Sequence, residues 1–172
     1  MDSEFDFLGW NFRKYKGKLL IKPSQKSIKS ITQSLKTIVS KAKAWTRDEL
    51  IKTLNPVIRG WTNYQRHIVA KDTFRKLDSY LWEITWRWGK WRHPNKGHKW
   101  IVNKYWTYEG ARKWIFRTKE TKLLRFSDAQ IRRYLLPKLD ANPYLNRNYF
   151  LERKDRVKKH TPWIQTRLPF FA

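Results

Sequence analysis

The period of the apolar positions changes along this chain and predicts its elements. Over residues 5–22, Leu8, Trp10 and Phe12 alternate with polar or small residues, Lys16-Gly17 supplies a turn, and Leu19-Leu20-Ile21 returns. A period of two closed by a turn predicts a β-hairpin. Pro23-Ser24 ends it, and the period becomes helical. Ile28, Ile31, Leu35, Ile38, Val39 and Ala42 share one helix face, with Ser24 as the expected N-cap. Thr46-Arg47-Asp48-Glu49 is a capping-box pattern opening a short helix that carries Leu50, Ile51 and Leu54. A separate helix is expected from Asn55 as cap and Pro56 at the first helical position. Its apolar side is Val57, Ile58, Trp61, Tyr64 and Ile68. Asp72 or Thr73 starts another, whose stripe is Phe74, Leu77, Leu81, Ile84, Trp88 and Trp91. Residues 24–92 therefore read as a small helical bundle with a shared core.

The polar positions are less ordinary. Lys26, Lys29, Lys36 and Lys43 fall opposite the first apolar face, and no acid occurs between Asp6 and Asp48, an interval with eleven Lys and Arg. A solvated helix face normally mixes signs. An unmixed one either tracks phosphates or remains solvated surface. Arg59, Asn63 and Arg66 form a polar stripe at i, i+4 and i+7, open to the same two readings. Trp82 and Trp86 lie off their helix's stripe, on the side of Arg75 and Lys90. They pack against another domain or stack on nucleotides.

Residues 93–98, His93-Pro94-Asn95-Lys96-Gly97-His98, break the helix. Two His with no Cys and no further His nearby do not make a metal-ligand set. Residues 99–117 interleave Trp100, Tyr105, Trp106, Tyr108, Trp114 and Phe116 with Lys99, Lys104, Arg112, Lys113 and Arg117. A short helix and then strands from about Trp114 are expected, with half or more of these aromatics in a small core. Asp140-Ala141-Asn142-Pro143-Tyr144 is a turn, 153–160 is a basic run read as solvated, and Pro162 and Pro169 mark an irregular tail. The expected fold is mainly α. A β-hairpin (1–23) precedes the helical bundle (24–92), and an aromatic-rich, basic α+β region with its tail (93–172) follows.

Composition narrows the partner. The 172 residues include 11 Trp, 8 Tyr and 9 Phe, too apolar for a disordered basic tail. Lys and Arg number 39 against 14 acids, a net charge of +25. Such self-repulsion opposes compactness unless a polyanion neutralises it, which points to nucleic acid. An acidic membrane surface comes second, but no apolar run approaches a spanning length, and no membrane partner is assigned. Cysteine is absent, so disulfides, zinc ribbons and thiol catalysis are excluded. No signal peptide is apparent at the acidic start, and an intracellular, cytoplasmic ribonucleoprotein is expected. No triad, phosphate loop or close carboxylate pair is visible, so neither catalytic residues nor a cofactor are assigned.

An ordered set of motifs carries a family resemblance: Phe7-Leu8-Gly9-Trp10; Ile21-Lys22-Pro23-Ser24; Leu54-Asn55-Pro56-Val57-Ile58-Arg59-Gly60-Trp61-Thr62-Asn63-Tyr64; Phe74-Arg75-Lys76-Leu77-Asp78; Trp86-Arg87-Trp88; and Arg92-His93-Pro94-Asn95-Lys96. Together they resemble the maturase part of group II intron reverse transcriptases. The resemblance makes residues 1–23 the end of the polymerase palm and 24–92 the maturase-specific thumb, domain X. It likens the stretch near Asp140 to the DNA-binding region that often precedes an HNH nuclease. It implies group II intron RNA as partner, with a DNA target and separate palm and fingers as further ones. The chain departs from the family in having no Asp-Asp pair to hold polymerase metals and no HNH module.

Three readings follow. In the first, the chain is a maturase fragment that binds intron RNA and assists splicing while the RNA does the chemistry. Lys22, Lys26, Lys29, Lys36, Lys43, Arg59, Asn63, Arg66, Arg75 and Lys90 then contact RNA, with Trp82 and Trp86 as stacking platforms. In the second, it is the thumb and DNA-binding portion of a split or truncated reverse transcriptase, inactive as a polymerase alone. In the third, it is a sequence-tolerant DNA-binding or membrane-surface protein acting through charge alone.

Overall fold

The two helix starts written most clearly in the sequence are built as capped termini. Helix α1 (Gln25–Lys41) begins where the Ser24 hydroxyl accepts the Ser27 N–H at 3.1 Å. Helix α2 (Arg47–Gln65) begins with the full capping box. The Thr46 hydroxyl accepts the Glu49 N–H, and the Glu49 carboxylate accepts the Thr46 N–H at 2.7 Å. The structure is a computed structural model describing residues 4–16, 18–109, 112–132 and 141–160. It divides into two compact units, Met1–Arg132 and Arg133–Ala172.

Three antiparallel strands precede α1: β1 (Glu4–Phe7), β2 (Trp10–Tyr15) and β3 (Lys18–Pro23), in the order β1-β2-β3. The expected hairpin is β2–β3, with Phe12 opposite Ile21. Strand β1 is an addition to it. The chain reverses between β1 and β2 through Leu8 and Gly9, at φ 47° and 80°. Glycine adopts that left-handed backbone without a Cβ penalty. Gly17, in the second expected turn, lies outside the described residues. The sheet is tied to the bundle by backbone bonds from Ser24 N–H to Gly9 O and Val69 N–H to Ile21 O, each 2.9 Å. The Tyr64 hydroxyl also donates to Leu8 O at 2.6 Å.

Helix α3 (Lys71–Arg92) completes the bundle. Ile31, Leu35, Leu50, Leu54, Ile58, Phe74, Leu77 and Leu81 are buried together, as their periodicities require. Four expectations are corrected. Helix α2 is continuous, with Pro56 inside it rather than opening a second helix. Leu50, Ile51, Leu54 and Ile58 form one buried stripe across the proline. Burying that stripe outweighs the roughly 3 kcal/mol an interior proline costs. Asn55 does not cap. Its side chain donates to Lys122 O at 3.0 Å and accepts from Leu124 N–H at 2.9 Å. Tyr64 is not core; it stands exposed, leaning on Trp10 at 5.4 Å. Trp91 is 56 % exposed, because α4 packs on the Gly89 side of the last turn of α3 and Trp91 lies off that side. Helix α3 itself starts at Lys71, slightly before Asp72, with no side-chain cap at Ala70.

Past the break at His93 come helix α4 (His98–Tyr105) and strands β4 (Trp106–Glu109) and β5 (Arg112–Phe116). The strands thus begin at Trp106, earlier than the expected Trp114. Gly89 lets α4 approach α3. A Cβ there would lie 3.3 Å from Ile101 Cγ2 and 3.5 Å from Tyr105 Cδ2. Trp88, Tyr105, Trp106 and Phe116 pack edge-on around this junction, and the Trp88 indole donates to Ala42 O at 2.7 Å.

Residues 117–132 form a strap across α2 and α3, with a single 3₁₀ turn at Phe126–Asp128. Three polar side chains fasten it. Asp48 accepts from the Thr121 hydroxyl at 2.6 Å and the Thr118 hydroxyl at 3.3 Å. Lys52, 2.5 Å away, and Thr121 hold the Asp48 carboxyl below the usual carboxylate range. Asn55 pairs with the strap backbone as described above. Asp78 accepts the N–H groups of Phe126 at 2.7 Å and Ser127 at 3.1 Å. The strap then delivers Phe126, fully buried, against the Trp61 ring at 5.7 Å.

In the second unit, Asn142 begins the expected turn, its side chain accepting the Tyr144 N–H at 2.8 Å. Asp140 and the tail with Pro162 and Pro169 lie outside the described residues. The basic run belongs to helix α5 (Arg147–His160), an element its composition did not announce.

The strap's dependence on buried acceptors is measurable. Asp78→Ala leaves two backbone N–H groups without their acceptor and should cost about 2–4 kcal/mol. Urea unfolding checks the loss, and amide exchange should accelerate first at Phe126 and Ser127. Unchanged exchange there would refute the fastening role.

Candidate nucleic-acid interface

The amphipathic division of α1 places its cations. With one face packed into the bundle, Lys26, Lys29 and Lys36 stand exposed on the other, and Lys43 continues the row just beyond the helix. At 1.5 Å rise per residue the row spans about 25 Å. None of the four has a carboxylate partner among the described residues. The neighbouring side chains are hydroxyls: Ser30, Ser34 and Ser40 lie on α1, and the last two bond back to their own helix.

The candidate residues are shared among several grooves rather than gathered in one. Lys26 lines a groove of about 730 Å³ between α1, α2 and the β1–β2 turn, with Ser30, Trp61 and the exposed Tyr64. Lys36 and Lys43 line a smaller one of about 190 Å³ between α1 and α3, with Arg87 and Trp91. There the Lys43 ammonium sits 5.2 Å from the Trp91 ring centroid. Arg75 and Trp82 border a third, between α3 and residues 114–125. Lys22 lies apart, in a mixed-charge groove with Asp6, Asp72 and Lys76, its ammonium 4.8 Å from the Tyr15 ring.

The remaining candidates differ in availability. Lys29, Arg59, Asn63 and Lys90 are exposed. Arg66 is half-buried where the strap ends, its carbonyl accepting the Arg132 N–H at 2.8 Å. The Trp pair separates into two roles. Trp86 is half-buried against His98 at 4.1 Å and Trp106 at 5.6 Å, so its packing partner lies within this chain. Trp82 stacks on Trp86 at 5.9 Å, nearly parallel, and remains 41 % exposed.

No group of three His, Asp or Glu among the described residues could hold a metal ion. His93 bonds the Tyr105 hydroxyl at 2.8 Å. Its desolvation, with Lys104, Arg92 and Lys96 nearby, lowers its pKa and favours the neutral ring. No described helix is long and apolar enough to cross a membrane.

Several surface groups were missed by sequence reasoning. Trp91 and Tyr64 were assigned to the core because their positions fit the stripe. The nearby helix end was the available signal for Trp91. Trp114 stood among the aromatics interleaved with cations over 99–117, a pattern that suits nucleic-acid contact, but was not singled out; Arg125 had no signal, since the strap places it.

Comparison with known families adds a specific finding. The group II intron maturase-specific domain matches residues 28–106, from the first turn of α1 to the first residue of β4. Lys29, Lys36, Lys43, Arg59, Asn63, Arg66, Arg75, Trp82, Trp86 and Lys90 lie inside the match, and Lys22 and Lys26 just before it. No curated protein matches the chain.

The burial contrast between two tryptophans three residues apart provides a check on this surface. Trp88→Ala should cost about 3–5 kcal/mol. Trp91→Ala should cost less than about 1 kcal/mol, as surface substitutions do. Thermal or urea unfolding of both variants decides it, and equal losses would mean Trp91 is covered.

Proposed function

Because residues 28–106 match the group II intron maturase-specific domain, we propose that the chain binds group II intron RNA and stabilises its splicing-competent fold. The RNA supplies the chemistry, and the protein neutralises phosphates where RNA helices crowd together. The observation that carries this reading is the acid-free lysine row of α1, held rigid by its packed opposite face. A helix binding phosphates needs cations that are unpaired and spaced along its axis, and Lys26, Lys29, Lys36 and Lys43 have both properties. Arg59 and Asn63 extend the contact surface. The complex would be an intracellular ribonucleoprotein, and a DNA target is a further partner of the same basic surface.

A second reading is favoured by the sheet. Strand β1 is an edge strand among the described residues, and Phe5 and Phe7 on it and Leu8 just after it are exposed. Such an edge suits pairing with further strands, as in a reverse transcriptase whose palm is supplied separately. In that case adding this chain to a palm-containing partner raises primer extension, and an unchanged extension rate removes the reading.

For the main proposal, replacing Lys26, Lys29 and Lys36 together by Gln should weaken binding to a structured intron RNA. The slope of log K against log salt should fall by up to about 0.7–0.9 per lost phosphate contact. Helix content should persist, because Gln and Lys are comparable helix formers. An unchanged slope would remove the lysine row from the interface. Equal affinity for the intron and for random RNA of the same length, at all salt concentrations, would reduce the function to charge alone.

A further inference from the structure

The groove between α3 and residues 114–125 lies outside the lysine row and has a different character. It encloses about 440 Å³, a volume suited to a small ligand or one unit of a polymer. Its exposed walls are two indoles, Trp82 and Trp114, the latter 45 % exposed. Trp106 contributes to the lining, and two guanidiniums, on Arg75 and Arg125, border it.

Three observations point to the same occupant. The first is an unfinished stack. Trp82 lies on Trp86 at 5.9 Å with rings 5° from parallel, and Trp86 meets Trp106 at 5.6 Å with rings tilted by 41°. Trp82 borders the groove and Trp86 does not, so a flat ring entering the groove extends the series. The second is the backbone at Trp114, held at φ 65°. A bulky residue is rarely found in that region, and such outliers cluster at ligand clamps, where surrounding structure holds them. The third is charge. Asp78 is the acid on the groove, and its oxygens accept the Phe126 and Ser127 N–H groups. Arg125 reaches Asp78 through Nε at 3.6 Å, which leaves its terminal nitrogens for another acceptor. Arg75 is bonded to the exposed Asp72 at 3.3 Å, a pair that an incoming anion can replace at little cost.

We propose that this groove receives one unpaired nucleotide of the bound RNA, with its base against Trp82 and its phosphate on Arg75 or Arg125. The identity of the polymer rests on the RNA-binding reading above; the single-nucleotide pocket rests on the groove. Paired bases cannot enter, because their faces are already stacked in the duplex. The groove therefore adds preference for bulged or single-stranded positions to an otherwise phosphate-directed surface.

The test uses the full chain and two probes, a six-nucleotide oligouridine and a fully paired RNA duplex of equal charge. Trp82→Leu should weaken hexamer binding by about tenfold or more. It should leave duplex affinity within about twofold and the salt slope unchanged. Hexamers carrying 4-thiouridine should photocrosslink to the unmodified protein at Trp82, Trp114 or their immediate neighbours, a readout independent of any variant's folding. Equal weakening for hexamer and duplex, or crosslinks confined to α1, overturns the proposal. The two readings fail separately. If the triple lysine variant binds structured RNA normally while Trp82→Leu loses the hexamer, the lysine row fails and the groove stands. If the lysine variant loses structured RNA and Trp82→Leu changes nothing, the groove fails and the lysine row stands.

Discussion

Burial of the apolar faces of α1, α2 and α3 against one another has to hold together a chain of net charge +25. Everything at the surface depends on how that is arranged. Charge repulsion falls with distance and solvent screening, whereas apolar burial needs contact. The chain satisfies both by segregation. Ile31, Leu35 and Val39 are buried on one side of α1, and its lysines stand in water on the other. The cations can remain unneutralised because the core beneath them contains none of them.

The few acids are used selectively. Glu49 completes the α2 capping box, Asp48 and Asp78 hold the strap, and Asp72 and Glu83 pair with Arg75 and Arg87. Carboxylates accepting backbone N–H groups in partly buried places contribute more than exposed surface pairs do. Spending them on α2, α3 and the strap leaves α1 without a neutralising partner. A cationic surface is thus produced as much by where the acids are as by where the lysines are.

How much of this was legible depended on how far the deciding partner lay in sequence. Ser24 and Thr46 cap because the groups they bind are three residues away, and both were readable. The α1 face was readable for the same reason. Pro56 misled because a proline after Asn is locally a good helix start. The groups that turn Asn55 outward, Lys122 O and Leu124 N–H, lie 67 and 69 residues on. Tyr64 and Trp91 fit an apolar period, but period alone does not report whether a neighbouring element reaches that turn. Trp82 and Trp86 shared one description in the sequence, and only the position of α4 and β4 separates the packed ring from the exposed one. The domain match and the mainly α fold agree with the resemblance, while the third strand and the strap had no local signature.

The fastening of the strap also orders events in time. Its bonds to α2 and α3 join residues 48 to 73 positions apart. Bonds between α3 and the α1 region already span 46 to 49 positions, so order of synthesis rather than separation sets the strap apart. During synthesis the three helices are complete before Arg125 has been made. The outer wall of the aromatic groove is therefore laid down after the lysine row and all three helices. Under the proposed function, a growing chain would carry its lysine row before its aromatic groove, so polyelectrolyte capture would precede recognition of an unpaired base.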